Sequence, residues 1–354
     1  MSDSLQSLGD FEIRAKSILP GAQWDWLIGG AELGRTYVRN LTQFKDFQIR
    51  PRVLVGISSP NVEQDFCGRM SASPVIAAPV GHMTQFHSEG ELAVMQACNT
   101  TRTHCVVSMH TRRNLELLAA AAGSAGWSYQ VYLYSEPEVV LTQIERAVRL
   151  GATSVVLTVD SCHRSPSYQR QRAPWDARQH GMRDEPELPE SRNDRLWTWE
   201  MVATLVKSVS APLILKGVQC GDDAERAVGI GCAGIWISNH GGRNNETDQS
   251  LLHEVRNIRR AVGKAIPLVI DGGFRTGSDV VKALLLGATH VAVGRPLVFG
   301  VVVSGASGVE SVLKISQAEL TRVLGALGVA DIRNISSHAD QVSLMRDQSS
   351  SDAG

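Results

Sequence analysis

Eight times from Pro74 onward, an apolar run of strand length is followed by a helical pattern, and this repetition constrains the fold more than any other feature. The runs are PVIAAPVG (74–81), HCVVSM (104–109), YQVYLY (129–134), SVVLTVD (154–160), PLILKGV (212–218), GIWISN (234–239), PLVIDGG (267–273) and HVAVGRP (290–296). Helices are expected from Ser88, over 113–122, 136–150 and 198–208, and after each later run. The runs are mostly apolar throughout, as expected of a parallel sheet covered outside and packed within. Eight such units predict a (β/α)8 barrel more readily than an open doubly wound sheet. The 354 residues then divide into a helical N-terminal segment and connection (1–73), the barrel (74–335) and a solvated polar tail (336–354).

The ends of the runs carry the chemistry. They read Pro79-Val80-Gly81, Ser108, Tyr132, Thr158 to Asp160, Lys216, His240, Asp271-Gly272-Gly273 and Gly294-Arg295. Polar and small residues at the C-terminal end of every strand mark the active-site rim of a barrel. The densest cluster closes GIWISNHGGR (234–243). There His240 can take and return a proton near neutral pH, and Arg243 offers a planar fork for a carboxylate. Paired glycines let backbone approach a flat ligand. A loop histidine and a surface arginine are the plain alternative, which the repetition around the rim disfavours. In the last two units, the glycine amides, a following helix N-terminus, Arg275 and Arg295 can surround a phosphate dianion. A flat cofactor anchored there would lay its ring across the rim. Lys216 would then place positive charge against the ring's electron-accepting end, unless it forms only a buried structural ion pair.

Composition narrows the rest. A net charge of −1 offers no footprint for nucleic acid or an anionic membrane. No apolar run is read as a membrane span and no signal peptide or peroxisomal tripeptide is read at either end, so a cytoplasmic protein is expected. The six cysteines contain no C-x-x-C pair and suit reduced thiols, with no metal site. The polar stretch between Asp160 and Trp197 reads as a lid or a disordered loop.

On these motifs the chain resembles the FMN-dependent α-hydroxy acid oxidase and dehydrogenase family, which includes glycolate oxidase, lactate oxidase and mandelate dehydrogenase. The resemblance runs from about Leu19 to about His338. It rests on QVYLY (130–134), LTVD (157–160), LKGV (215–218), SNHGGR (238–243), DGGFRTGSD (271–279) and GRP (294–296). It implies FMN as cofactor, contacted by Val80, Gly81, Ser108, Gln130, Thr158, Lys216, Ser238, Asp271, Gly273, Arg275, Gly294 and Arg295. It also implies His240 as catalytic base, oriented by Asp160, with Tyr132 hydrogen-bonded to substrate and Arg243 on its carboxylate. A small-molecule substrate, an electron acceptor and a homo-oligomer follow as expectations, without a fused haem domain.

Three departures face the substrate. Where the family has tyrosine after aspartate, as in D-Y-Y-A-S-G-A, this chain has Asp25-Trp26-Leu27. The family's Ser-Ser-Trp after strand 2 is Ser108-Met109-His110 here. Its arginine-rich run after strand 4 is Cys162-His163-Arg164-Ser165-Pro166-Ser167. Trp26 and His110 are therefore expected to line an altered substrate pocket. The leading expectation is oxidation of a 2-hydroxy acid or related secondary alcohol. The alternatives are a flavin enzyme tailoring a larger natural product and a non-catalytic FMN-binding barrel. An isopentenyl isomerase of the type 2 kind would not call for His240, Asp160 and Arg243 together.

Overall fold

The computed structural model describes residues 5–133, 136–172, 174–185 and 197–345. Three helices open the chain: α1 (Leu8–Ile18), α2 (Gly21–Ile28) and α3 (Arg35–Thr42). A reciprocal capping box between Ser7 and Asp10 starts α1, whose Leu8, Phe11 and Ala15 are buried at helical spacing. Strand β1 (Phe47–Ile49) and a hairpin, β2 (Gln64–Phe66) and β3 (Arg69–Ser71), follow. The hairpin turns at Cys67 and Gly68, both at positive φ, as a two-residue hairpin of the primed type requires.

The eight expected units are all present. They are β4 (Val75–Ala77) with α4 (Glu91–Thr101), β5 (Cys105–Ser108) with α5 (Leu115–Ala122), and β6 (Trp127–Tyr132) with α6 (Pro137–Arg149). Next come β7 (Val155–Thr158), a short extra helix α7 (Tyr168–Arg172), and α8 (Trp199–Ser208). The series continues with β8 (Leu213–Val218) and α9 (Gly221–Gly229), β9 (Gly234–Ile237) and α10 (Leu251–Val262), and β10 (Leu268–Asp271) and α11 (Gly277–Leu286). It ends with β11 (His290–Val293) and α12 (Arg295–Leu327). All eight strands pair in parallel, and β11 on β4 closes the barrel.

Although the strands read as continuous apolar runs, the two faces differ once residues two apart are taken together. Outward residues such as Val107, Leu157, Leu215, Ile237 and Ile270 join the helices in the main core. Inward residues form three tiers. Ile76, Val106, Val156, Ile214, Trp236 and Val269 make an apolar middle. Below it lie His104, Ser128, Ser154 and His290; above it lie Ser108, Gln130, Thr158, Lys216, Ser238 and Asp271. The upper tier is the rim.

Phe66 closes the floor. Its ring, 1% exposed, stands edge-on to His104 (4.7 Å between centroids) and His290 (4.9 Å). His104 and Ser128 are hydrogen-bonded at 2.7 Å, and Ser128 and Ser154 at 2.6 Å. Burial pushes both histidines down to about 3, so the floor is neutral.

Three expectations change. The polar tail does not begin at Ser336: residues 332–341 form a 3-10 run, and β12 (Val342–Leu344) pairs antiparallel with β1. Buried Ile332, Ile335 and Val342 hold this segment down; residues 346–354 lie outside the described ones, as does Tyr134 of the expected third strand. The N-terminal segment, expected to be helical before its connection, also contains strand β1, because β12 supplies it with a partner. Finally, α12 is long and apolar enough to cross a membrane, which no single run suggested. It breaks helical geometry at Ser304 and Gly305, and two-thirds of its apolar window is buried, mainly against α1, α4 and α11.

Candidate active site

A cavity of about 1090 Å³ opens over the upper tier. Its wall includes Val80, Gly81, Ser108, His110, Tyr132 and Thr158 from the first four units, and Trp26 from α2. Lys216, His240, Arg243, Asp271 and Gly273 continue it, and Arg275, Gly294 and Arg295 complete it. Of the residues singled out in the sequence, Gln130, Ser238 and Asp160 stand behind this wall. Gln130 accepts a hydrogen bond from Ser108 (2.9 Å) and donates to Thr158 (3.0 Å), tying three strands into one polar row. Ser238 accepts from Lys216 Nζ (2.7 Å) and donates to Asp271 (2.8 Å). Lys216 lies 3.3 Å from Asp271 Oδ2, so the ion pair and the cavity-facing position expected as alternatives coexist. Burial alone would lower the Lys216 pKa, but Asp271 and Asp160 outweigh it and hold the ammonium above its ordinary range.

His240 sits at the tip of the turn after β9 with φ 58°, a left-handed conformation that costs a non-glycine residue free energy. The turn is clamped from α3. Asn40 and Asn239 exchange side-chain hydrogen bonds at 2.8 and 2.9 Å, and Gly242 N donates to Asn239 Oδ1 at 3.1 Å. His240 Nδ1 donates to Asp160 Oδ1 (3.0 Å), and Tyr132 Oη donates to Nε2 (3.3 Å). That arrangement leaves Nε2 as the acceptor of a neutral imidazole. Burial lowers the His240 pKa below its ordinary 6.5 despite Asp160. Burial also raises Asp160, but the His240 charge and hydrogen bond, with Lys216, hold the carboxyl below its usual range. Asn244 Nδ2 donates to the Asp160 carbonyl and to Ser161 Oγ, both at 3.0 Å. Gly217, at φ 108°, makes room for Asp160, since a Cβ there would stand 2.7 Å from the aspartate Cβ.

Arg243 is anchored before any ligand arrives. Its Nη1 donates to the carbonyls of Trp26 and Leu27, both at 2.9 Å, and its guanidinium lies 4.8 Å over the Trp26 ring. Trp26 thus stacks on the arginine instead of standing apart in the pocket. His110 lies between His82 (5.7 Å) and Tyr132 (4.9 Å). Burial, then the charges of His82 and Arg164, push its pKa down to about 3.

The phosphate end fits a dianion. Arg275 Nη2 and Arg295 Nη2 are both sealed from solvent without an acceptor among the described residues. Buried donors of this kind need a partner, and a phosphate supplies several oxygens. Two details differ from expectation. The first amides of α11 are already met by Asp279 and Glu319, so the helix end facing the cavity is that of α12, whose Gly294 cap contributes no side chain. The glycines also make room for α3: a Cβ on Gly273 would run into Asn40 O, and one on Gly242 would stand 2.5 Å from Tyr37 N.

Sequence reading missed Asn40, Asn239, Asn244 and Arg170, the last lining the cavity from α7. Asn239 and Asn244 flank SNHGGR and could have been suspected from that position. Nothing local marks Asn40 or Arg170.

Comparison with known proteins identifies the family. The FMN-dependent dehydrogenase family model matches residues 15–341. A peroxisomal (S)-2-hydroxy-acid oxidase of Oryza sativa subsp. japonica is 31% identical over 355 residues, covering 95% of this chain and 96% of that protein. The 4-hydroxymandelate oxidase of Amycolatopsis orientalis is 31% identical, covering 92% and 95%. A mandelate oxidase solved with (S)-2-phenylpropionate superposes with a TM-score of 0.86 at 30% identity, covering 97% and 99%. With barrel, phosphate end and rim all in place, the chain belongs to the FMN-dependent dehydrogenase family and is a flavoprotein oxidoreductase of the 2-hydroxy acid oxidase and dehydrogenase type, with FMN as its cofactor.

Proposed function

We propose that this chain oxidises a 2-hydroxy acid larger than glycolate to the 2-oxo acid, with His240 as the base. The observation that carries the reading is the alignment of Tyr132 Oη, His240 and Asp160 beside an Arg243 whose orientation is preset. Turning the alcohol into a carbonyl keeps its oxygen and removes the O–H and Cα–H hydrogens, that is, two protons and two electrons. His240 Nε2 takes one proton, and Asp160 stabilises the imidazolium that results. Arg243 holds the carboxylate, and Tyr132 orients the oxygen that becomes the carbonyl. Bound FMN supplies the two-electron acceptor, with Arg275 and Arg295 on its phosphate and Lys216 near its ring.

The altered pocket sets the size. Trp26 replaces a phenol with a larger surface, and its ring is turned against Arg243 and Phe86 (5.8 Å). His110, neutral and smaller than an indole, presents a polar edge. A small acid loses one hydrogen bond to its carboxylate, worth about 1.5–3 kcal/mol. Measured kcat/KM should therefore favour an aryl or long-chain 2-hydroxy acid over glycolate and lactate, and Trp26→Tyr should recover about one to two decades for the small acids. Preference for glycolate in the natural protein, with no gain in Trp26→Tyr, would refute this pocket.

A slow reaction of the reduced enzyme with oxygen is also expected, because the family resemblance associates glycine at position 81 with dehydrogenases. Here Gly81 is also sterically required, a Cβ there lying 2.7 Å from His110 Cβ. Rapid mixing of reduced enzyme with aerated buffer tests this; prompt reoxidation with peroxide release would contradict it.

A further inference from the structure

The chain after β7 builds one wall of the cavity and charges it. Arg164, Arg170 and Arg178 line that wall, with Asp176 as its one carboxylate among the described residues. Asp176 Oδ1 accepts from Arg178 Nε at 3.2 Å. Among the described residues, the other lining carboxylate, Asp271, is engaged by Lys216, and Asp160 behind the wall is engaged by His240. Arg275 pairs with Glu12 of α1 at 3.0 Å.

Arg170 has no carboxylate partner among the described residues, and its buried Nε meets no acceptor among them. Its position is nevertheless set. Gln169 Nε2 donates to Asp25 Oδ1 at 2.8 Å, tying α7 to α2. A Cβ on Gly29 would stand 2.9 Å from Arg170 Cγ. Because Arg243 is anchored on the last carbonyls of α2, both arginines are referred to one helix. The charge of Arg164 reaches Arg170, Arg243, Tyr132 and His240. Burial, reinforced by neighbouring guanidiniums, lowers the pKa of Arg170 and Arg243 alike. Arg170, partly buried beside like charge, keeps a buried donor without an acceptor until an anion joins it.

We propose that the substrate is a 2-hydroxy dicarboxylate, its carboxylate next to the hydroxyl held by Arg243 and its distal carboxylate by Arg170 with Arg164 beside it. This rests on the hydroxy acid reading above. The distal carboxylate supplies the acceptor that the Arg170 guanidinium lacks, and it leaves the redox step unchanged.

The test compares 2-hydroxy dicarboxylates of increasing length, and 4-carboxymandelate, with monocarboxylates of matching length in the FMN-loaded protein. Dicarboxylates should show kcat/KM about ten- to a hundredfold higher. In parallel, inert dicarboxylates such as glutarate, and valerate as their monocarboxylate counterpart, are titrated by the change in the flavin spectrum. Arg170→Gln should bring both ratios close to one while leaving the monocarboxylates little changed, and Arg170→Lys should retain part of the preference. Thermal melting checks that the variants are folded. Equal handling of both classes by the natural protein overturns the proposal. So does a loss in Arg170→Gln that falls equally on both classes, since Arg170 would then share the proximal carboxylate. If no hydroxy acid reduces the flavin, the oxidation reading fails; the inert-acid titration still decides the second anion site.

Discussion

Replacing His240 by Gln should leave FMN bound and slow its reduction by substrate about a hundred- to ten-thousandfold. The cofactor-side contacts explain why binding survives. Lys216, Ser238 and Asp271 hold one another without the imidazole, and on the proposed reading Arg275 and Arg295 would hold the phosphate. Glutamine can accept from Tyr132 but cannot take a proton, so the loss falls on the rate. The pH profile adds a second check. Burial keeps the His240 pKa below 6.5, so more than half of the base is neutral at that pH. The reduction rate should fall only as pH drops below this value. In Asp160→Asn the imidazolium loses its counter-charge, the rate falls at every pH, and the inflection moves lower still. Anaerobic stopped-flow across a pH series reads all of this. Reduction at an undiminished rate in His240→Gln would remove His240 as the base.

Phe66→Ala should destabilise the protein by about 3–5 kcal/mol, the cost of emptying a buried aromatic site. Its ring fills the barrel floor between His104 and His290, where the surrounding strands are paired on both sides and cannot collapse inward. The reacting groups stand at the opposite end of the strands. FMN content and turnover at low temperature should therefore be nearly unchanged while the urea midpoint falls. A shift below about 1 kcal/mol would show that the hairpin is not what closes the floor. The histidine pair adds an acid dependence. Their folded pKa of about 3 lies below the ordinary 6.5, so the unfolded chain binds more protons between those values. Their contribution is complete above pH 6.5 and is lost progressively as pH falls toward 3.

Sequence alone determined the barrel, because eight apolar runs each followed by a helical pattern have few other ways to bury themselves. It also indicated which residues would gather at one rim, since a strand's C-terminal end is a position in the sequence as well as in space. His240, Asp160, Tyr132, Arg243 and Lys216 were legible for that reason. The three inward tiers were not: Val106, Val107 and Ser108 read as one run, and only barrel closure decides which faces in. The tertiary structure likewise decided that Phe66, from a hairpin outside the repeat, becomes the floor, and that β12 returns to pair with β1. It decided what the rim glycines are for. Asn40 lies 199 residues from its partner Asn239, and Gln169 pairs with Asp25 across 144 residues. No local pattern encodes such pairs, because the hydrogen bonds exist only after packing has brought the helices onto the rim. That is how Arg170, unremarkable in a polar loop, comes to face the cavity beside Arg243.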